Sequence, residues 1–409
     1  MKTRLRGLFV GLVAGFLAVF LAGMMVTRNL ALDSTYGHLR LFNEVLSLIN
    51  KSYVDEVENA SLMKGAYEGM LSELDPFSEY LTAEEYEKAA QAAEKPPGPA
   101  APDTGLRVAR REGIVLVVAV KPGSDAEAKG ITPGDQLRRV GGQSAREMSL
   151  HAIESSLAGP SGSAVAVLVA RREEPHKIEA ELERQPHRLP DPALEIADAR
   201  AGIAVLRVMH FHPGAAAAVA SQLDKAEKQK VRRLLIDLRG NAWGGIPEAA
   251  RAAGLLLGDE VVARLGSKQG TGQELRGGRP RGAYTGSVAL LVNGATAEAA
   301  ELFAAAVRDG RPATLLGEPT FGIGAQQEFI PLNNGAWLKL SVRKYLSPSG
   351  TPWHGEGLKP TAAVSVARDG LAPAERLKEQ LRLAIEQVRN LDSPAAASAG
   401  SAGSSPGSL

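Results

Sequence analysis

Cysteine is absent from the 409 residues. That excludes disulfides, cysteine nucleophiles and thiolate metal sites together, and leaves the redox compartment open. Neither charge is in excess: 47 Lys and Arg stand against 46 Asp and Glu, a formal net charge of +1. There is no basic surplus to suit a nucleic-acid partner and no acidic surplus to make a solvating tail. No internal repeat is present. The 44 glycines and 24 prolines exceed the ordinary combined share of ~12%, which implies many turns but neither collagen nor wholesale disorder. The length admits two or three domains and a sizeable core.

What is present begins at the N-terminus. Lys2, Arg4 and Arg6 precede a run from Leu8 to Val26 that is wholly apolar apart from its glycines. At ~1.5 Å per residue such a helix spans about 28 Å, close to a bilayer core. The expectation is a signal-anchor over residues 1–28 with its N-terminus in the cytoplasm. A cleaved signal is the competing reading, but no A-x-A site follows the run. Either one exports everything after Arg28. The expected location is the inner membrane, single-pass, with the bulk of the chain in the periplasm.

Leu39, Phe42, Leu46, Ile49 and Tyr53 recur at helical spacing, and a second helix is expected over Ser61–Leu74, stopped by Asp75-Pro76. Thr82-Ala-Glu-Glu85 reads as a capping box opening a third. Residues 37–94 thus form a helical region, and the proline-rich stretch 95–103 a linker. Over 104–187 come the strand-like runs Ile114–Val120, Ala164–Ala170 and Lys177–Leu182, several Gly turns and a short helix, Ser149–Ala158. From residue 190 to 365 strands and helices alternate. Strands are expected at Ile203–Val208, Arg233–Leu238, Val288–Val292, Leu315–Leu316, Gln326–Pro331 and Ala336–Val342. Helices are expected at Ala215–Lys230, Pro247–Leu257 and Ala297–Asp309, the last with Gly310 as its C-cap. A helical segment over 366–390 and a disordered tail over 391–409 complete the chain.

Four stretches resemble the carboxyl-terminal processing, or tail-specific, serine proteases of peptidase family S41. They are Leu74-Asp-Pro-Phe-Ser-Glu-Tyr-Leu81, the PDZ-like Gly123-Ser-Asp-Ala-Glu-Ala-Lys-Gly-Ile-Thr-Pro-Gly-Asp135, the turn Asp237-Leu-Arg-Gly-Asn241 with Gly244-Gly245, and Leu291-Val-Asn-Gly294 with Gly317-Glu-Pro-Thr-Phe-Gly322. The resemblance implies an α+β and α/β multidomain chain: transmembrane helix, helical segment, β-rich PDZ domain and an α/β, ClpP/crotonase-like protease core. A PDZ domain takes a peptide C-terminus as an added strand, its carboxylate received by the amides of a glycine loop. Here that loop is Thr104-Gly105-Leu106, leading to Val108, with Ile153 of the facing helix as a pocket residue. Gly244 and Gly245 are the frame for an oxyanion.

In this family a serine nucleophile opens the helix after the V-N-G strand. A lysine 25 residues later is its base, with a glutamine four beyond. A serine hydroxyl needs such a base, and a lysine serves only with a lowered pKa. Aligned without gaps on Asn293-Gly294 and Glu301, the serine position is Glu298, the lysine position Ile323 and the glutamine position Gln327. The expected spacing is kept, yet both chemical residues are replaced. An ionised glutamate only accepts hydrogen bonds, and isoleucine accepts no proton. Glu298 is expected in the first helical turn, where negative charge is favoured. The Asp237–Gly245 turn is one residue longer than the pattern, through Ala242-Trp243. Thr296 is expected as the N-cap of the helix rather than a displaced nucleophile. Ser287, Lys339, Lys344, the Ser61-Leu-Met-Lys64 match and His354 have no evident catalytic partner, and His210-Phe-His212 lacks a third metal ligand.

Three readings follow. The first is a proteolytically inactive envelope member that binds protein or peptide C-termini and pairs with an active relative or other envelope proteins. The second is an active serine-type peptidase with a non-standard arrangement, and the third a purely structural envelope protein. No cofactor, metal or nucleic acid is expected, and homo-oligomers are plausible by the resemblance alone.

Overall fold

A computed structural model describes residues 36–94, 101–171, 177–268, 270–278, 284–311, 313–367 and 371–390. The expected anchor, the disordered tail and the linker's residues 95–100 lie outside them. Among the described residues no helix is long and apolar enough to cross a membrane. The chain divides at Tyr67/Glu68 into two units. The first holds α1 (residues 36–52) and most of α2 (Asn59–Ser72). Asn50 Nδ2 donates to Asn59 Oδ1 at 2.8 Å across their turn. Of the expected stripe on α1, Leu46 and Ile49 are half-buried, while Leu39, Phe42 and Tyr53 are exposed.

The second unit opens with β1 (Glu79–Leu81) and α3 (Ala83–Glu94). The capping box forms as expected: Thr82 N donates to Glu85 Oε2 at 2.9 Å, and Glu85 N to Thr82 Oγ1 at 3.3 Å. The linker expected to run to residue 103 ends sooner, because β2 (Pro102–Asp103) is already a strand.

Next come β3 (Leu106–Arg111), β4 (Ile114–Val120), α4 (Asp125–Ala128), β5 (Gln136–Val140), β6 (Gln143–Ser144), α5 (Leu150–Leu157), β7 (Ala164–Ala170) and β8 (Lys177–Glu183). They make one antiparallel sheet in the order β3-β4-β5-β7-β8, with β6 beside β5. Its inner face packs Val108, Val117, Leu137, Val167 and Val169 against Ile153 and Leu157 of α5. This is the small β module expected from the strand-like runs and glycine turns, with α5 capped by Ser149. β9 (Gln185–Pro186) pairs with β2 and clamps the neck where the chain enters and leaves the module.

The rest is α/β: β10 (Ala193–Asp198), β11 (Ile203–Arg207), α6 (Ala215–Lys228), β12 (Arg233–Asp237), α7 (Ile246–Leu257), β13 (Val261–Ser267), β14 (Gly270–Arg276), β15 (Ser287–Val292), α8 (Ala299–Gly310), β16 (Thr314–Gly317), β17 (Ala325–Pro331), β18 (Trp337–Leu346), β19 (Ala362–Ala363) and α9 (Pro373–Asn390). The main sheet runs β10-β11-β12-β15-β16-β19, parallel from β11 onward with β10 as an antiparallel edge. Leu234, Ile236, Leu290 and Val292 turn to α6, α7 and α8. Ile203, Leu235, Ala289 and Leu291 turn to Ala384 and Val388 of α9. Strands covered on both faces explain the unbroken apolar runs in the sequence. Gly310, expected as a C-cap, is the last residue of α8, and Arg311 is the cap. A second sheet joins β1, β18, β13 and β14, with β17 on the other side of β18. Glu79 of β1 also accepts from Leu150 N at 2.5 Å, placing a carboxylate at the start of α5.

Candidate functional site

The parallel strands β12, β15 and β16 end along one edge, the edge where such sheets form crevices. Their ends are held by buried polar residues. The guanidinium of Arg239 forks onto Asp237, Nε to Oδ1 at 2.9 Å and Nη2 to Oδ2 at 2.8 Å. Nη1 reaches Leu377 O and Gln380 Oε1 on α9. Asn241 Nδ2 donates to Val208 O at 3.0 Å, and Asn241 O accepts from Ala297 N at 2.9 Å. The Asp237–Asn241 turn is thus a rivet between β12, α9 and the approach to α8.

Gly244 has φ 106°, and a Cβ there would collide with the Phe211 backbone, so only glycine fits. Of the two glycines expected to frame an oxyanion, Gly245 is already committed: its N–H donates to Phe211 O at 2.9 Å. The Gly244 N–H finds no acceptor among the described residues.

Glu298 is not in the first helical turn, as expected from the sequence, but one residue ahead of it, as the N-cap of α8. Its backbone sits at φ 52° and ψ −112°, a conformation that costs a non-glycine residue about 1–3 kcal/mol and persists only where its surroundings enforce it. The enforcing contacts are visible. Glu298 N donates to Glu301 Oε2 at 3.0 Å, and Thr296, two residues before, is fully buried with Oγ1 donating to Leu238 O at 2.9 Å. Thr296 is therefore neither the N-cap nor a free hydroxyl.

The Glu298 side chain faces the PDZ module. It pairs with Arg107 of β3, whose other arm donates to Glu154 Oε1 on α5 at 3.2 Å. The Glu298 carboxylate drives the Arg107 pKa still higher than its ordinary value, with Glu154 helping. Arg111, farther along β3, donates to Phe321 O at 2.8 Å and Gly355 O at 2.9 Å and lies over the Phe321 ring.

Between these two arginines the module's outer face meets the crevice. Ala109, Val118 and Ala119 pack on Phe77, Ala242, Ala295, Ala297 and Phe321, with Trp243 and Ile323 against them. Ile323 thus joins an apolar layer where a base would stand, and the extra turn residue Trp243 adds to that layer. Gln327 is present, but its Nε2 donates to Phe77 O at 3.0 Å.

Glu301 is the residue that holds the loop of Ile323 to α8. Fully buried, it accepts from Thr320 Oγ1, from Gly322 N at 2.7 Å and from Ile323 N at 2.8 Å. Burial outweighs these bonds and raises its pKa to about 7. Asp75 accepts from Phe77 N and Ser78 N, both at 2.8 Å, and faces His354 Nε2 at 3.7 Å. Burial would raise the Asp75 pKa, but the His354 ring and these amides bring it down to about 2. His354 Nδ1 in turn accepts from Gly324 N at 3.3 Å, so the histidine left without a partner in the sequence braces the same loop. Arg107, Arg111 and Asp75 are the site residues that sequence reasoning missed, and Glu301 entered there only as an alignment anchor.

The expected peptide-binding residues are gathered at one end of the PDZ module but are closed in. Val108 is 2% exposed and Ile153 is fully buried, both within the module's own core rather than lining an open pocket. Gly105 is buried and Leu106 half-buried. The amides of Thr104 and Gly105 are bonded within the module, to Leu157 O and to Asp103 Oδ1. Among the described residues β3 pairs in the ladder with β4 alone, which leaves it an edge strand.

The remaining candidates are placed apart from this cluster. Ser61 and Lys64 belong to the first unit, and Ser287 begins β15 at the end opposite the crevice. Lys339 lies 4.0 Å from Glu79 Oε2, and Lys344 pairs in the sheet with Ala325 and Gly266. The rings of His210 and His212 are 4.9 Å apart, and among the described residues no group of three side chains is placed to hold a metal.

Comparison with known proteins agrees with this geometry. The model described as "Peptidase family S41" matches residues 202–364, "Activating protease CtpB N-terminal domain" residues 24–85 and "PDZ domain" residues 116–171. The chain is 28% identical over 371 residues to the carboxy-terminal processing protease CtpA of Bacillus subtilis (strain 168), covering 88% of this chain and 77% of that protein. It is 26% identical over 334 residues to a probable CtpA-like serine protease of Staphylococcus aureus (strain COL), covering 81% of this chain and 66% of the other. The solved structure of a photosystem II D1 C-terminal processing protease shares the fold, with a TM-score of 0.65, 24% identity, and coverage of 87% of this chain and 97% of that one. Together these matches support a CtpA-type member of peptidase family S41 that carries a PDZ domain.

Proposed function

We propose that this chain is a proteolytically silent member of its family, which binds protein C-termini through the PDZ module and holds them at the cell envelope. The observation that carries this reading is Glu298. It occupies the strained turn ahead of α8, at the position of the nucleophile, and its carboxylate is neutralised by Arg107. A carboxylate held by a guanidinium has no proton to give up and is a poor nucleophile, and Ile323 offers no base to activate one. Ile323 and Trp243 pack against an apolar layer in place of a base. The edge of β3 and the facing helix α5 support peptide capture by strand addition.

The exported location rests on Lys2, Arg4 and Arg6 before Leu8–Val26. Alkaline extraction of membranes checks it: the full chain stays with the membrane pellet, and a chain starting at residue 29 does not. The catalytic reading is tested by incubating the purified chain with unfolded and C-terminally tagged substrates, beside Thr296→Ala. The expected result is no turnover above background in either, and no labelling by an activated-serine probe. Cleavage that Thr296→Ala or a Ser287→Ala change abolishes sinks it.

A further inference from the structure

The loop that should receive a peptide carboxylate already holds one. Asp103 Oδ1 accepts from Gly105 N at 2.7 Å, and its Oδ2 lies 2.5 Å from Lys121 Nζ. Lys121 follows the last residue of β4, and its own N–H donates to Gly105 O at 2.7 Å, so the ammonium and the glycine loop are fixed to each other. The two partners differ in freedom. The Lys121 side chain is 5% exposed and that of Asp103 is 29% exposed. Asp103 is open to water on one side, and Lys121 is not.

A buried ammonium without a counter-charge is strongly unfavourable, so this place always calls for a carboxylate. The nearby His212 adds no charge to it: burial first, then His210 and Lys121, hold that ring neutral, its pKa down at about 4. The position of Asp103 is set by the neck of the module, where it pairs with Gln185 and bridges to Ala158. Gly105 beside it has φ 81°, and a Cβ there would collide with Ser124, so the loop backbone has one shape.

We propose that Lys121 and the Gly105 loop form the carboxylate receptor of the PDZ module, and that Asp103 occupies it as a resident stand-in for a peptide C-terminus. An incoming chain end exchanges one carboxylate for another on Lys121, and the module is held empty-handed until that exchange is won. This rests on the reading of the module as a binder of C-termini.

The test uses the full chain in detergent micelles and a fluorescein-labelled decapeptide ending Val-Ala-Ala. The peptide is offered as the free acid and as the C-terminal amide, and binding is followed by anisotropy. Asp103→Gly frees both the ammonium and the amide, and is expected to tighten binding of the acid at least tenfold over wild type while leaving the amide unchanged. Asp103→Asn keeps the Gly105 cap but removes the charge, and falls between the two. This isosteric variant carries the test if the glycine variant unfolds. Lys121→Met erases the difference between acid and amide. If wild type prefers the acid and neither Asp103 variant improves on it, the resident-ligand inference is overturned while the PDZ reading stands. If no form binds either peptide, both fall.

Discussion

Two carboxylates three residues apart at the start of α8 live in opposite settings. Glu301 is sealed beneath the crevice and bonded to four donors. Glu298 stands at its mouth, a quarter exposed and tied to an arginine from another domain. The region around Glu301 is the scaffold of a peptidase: the Asp237–Arg239 fork, Asn241, Thr296 and Thr320 are all buried and bonded. The region around Glu298 is where the alignment puts the nucleophile and its base, and there the chain has Glu298 and Ile323. The scaffold is retained because it is structural in its own right. Removing one buried acceptor strands several donors, whereas exchanging a surface hydroxyl for a carboxylate strands none.

That contrast is broken most directly at Glu301. Glu301→Leu leaves the amides of Glu298, Gly322 and Ile323 without an acceptor and is expected to lower stability by about 3–5 kcal/mol in urea unfolding. Its raised pKa adds a sign. The folded state keeps the Glu301 proton up to about pH 7, so the stability of wild type over Glu301→Gln is greatest below pH ~4.5 and declines as pH rises through 7. A flat profile would place the carboxylate in water and dissolve the distinction.

A smaller effect is expected at Asp75, which braces the same loop from the other side. Asp75→Ala removes an acceptor from two amides and is expected to lose about 2 kcal/mol at neutral pH. Here the sign is reversed. With the native pKa near 2, the wild-type advantage is complete above pH ~4 and disappears as pH falls from 4 to 2.

The smallest effect belongs to the mouth. Glu298 and Arg107 are a quarter and a third exposed, so a double-mutant cycle with alanine at each is expected to give a coupling of only about 0.5–1 kcal/mol. A coupling of 3 kcal/mol would move Glu298 to the side of the scaffold. Hydrogen exchange of β3 sharpens the point: Glu298→Ser is expected to speed exchange there more than in β12.

The sequence made much of the scaffold legible, since it is written in local terms. The capping box at Thr82, the apolar runs of β4, β12 and β15, and the helix period of α6 and α7 all depend on near neighbours. Counting from Asn293 also located Glu298 and Ile323. What escaped depends on distant partners. β14 is polar and glycine-interrupted, and its partner β13 finds a second neighbour in the distant β18. β1 is three residues long and pairs with a strand about 260 positions away. Arg107 reads as an ordinary surface charge on a strand until β3 is laid beside a residue 191 positions away. Thr296 has the type of an N-cap, but the strained turn at Glu298 shifts the start of α8 by two residues.

The pairing of Glu79–Leu81 with Trp337–Leu346 also sets an order of events. A strand laid down before the PDZ module waits for its partner until β18 has been made. The module itself, with contacts spanning little more than its own 80-odd residues, is free to fold meanwhile. The expected kinetics have a fast phase, visible in the amides of β4, β5 and β7, and a slow one that closes β1 onto β18. Between the two phases, the core is the vulnerable species: its longest strand then still presents an unpaired edge.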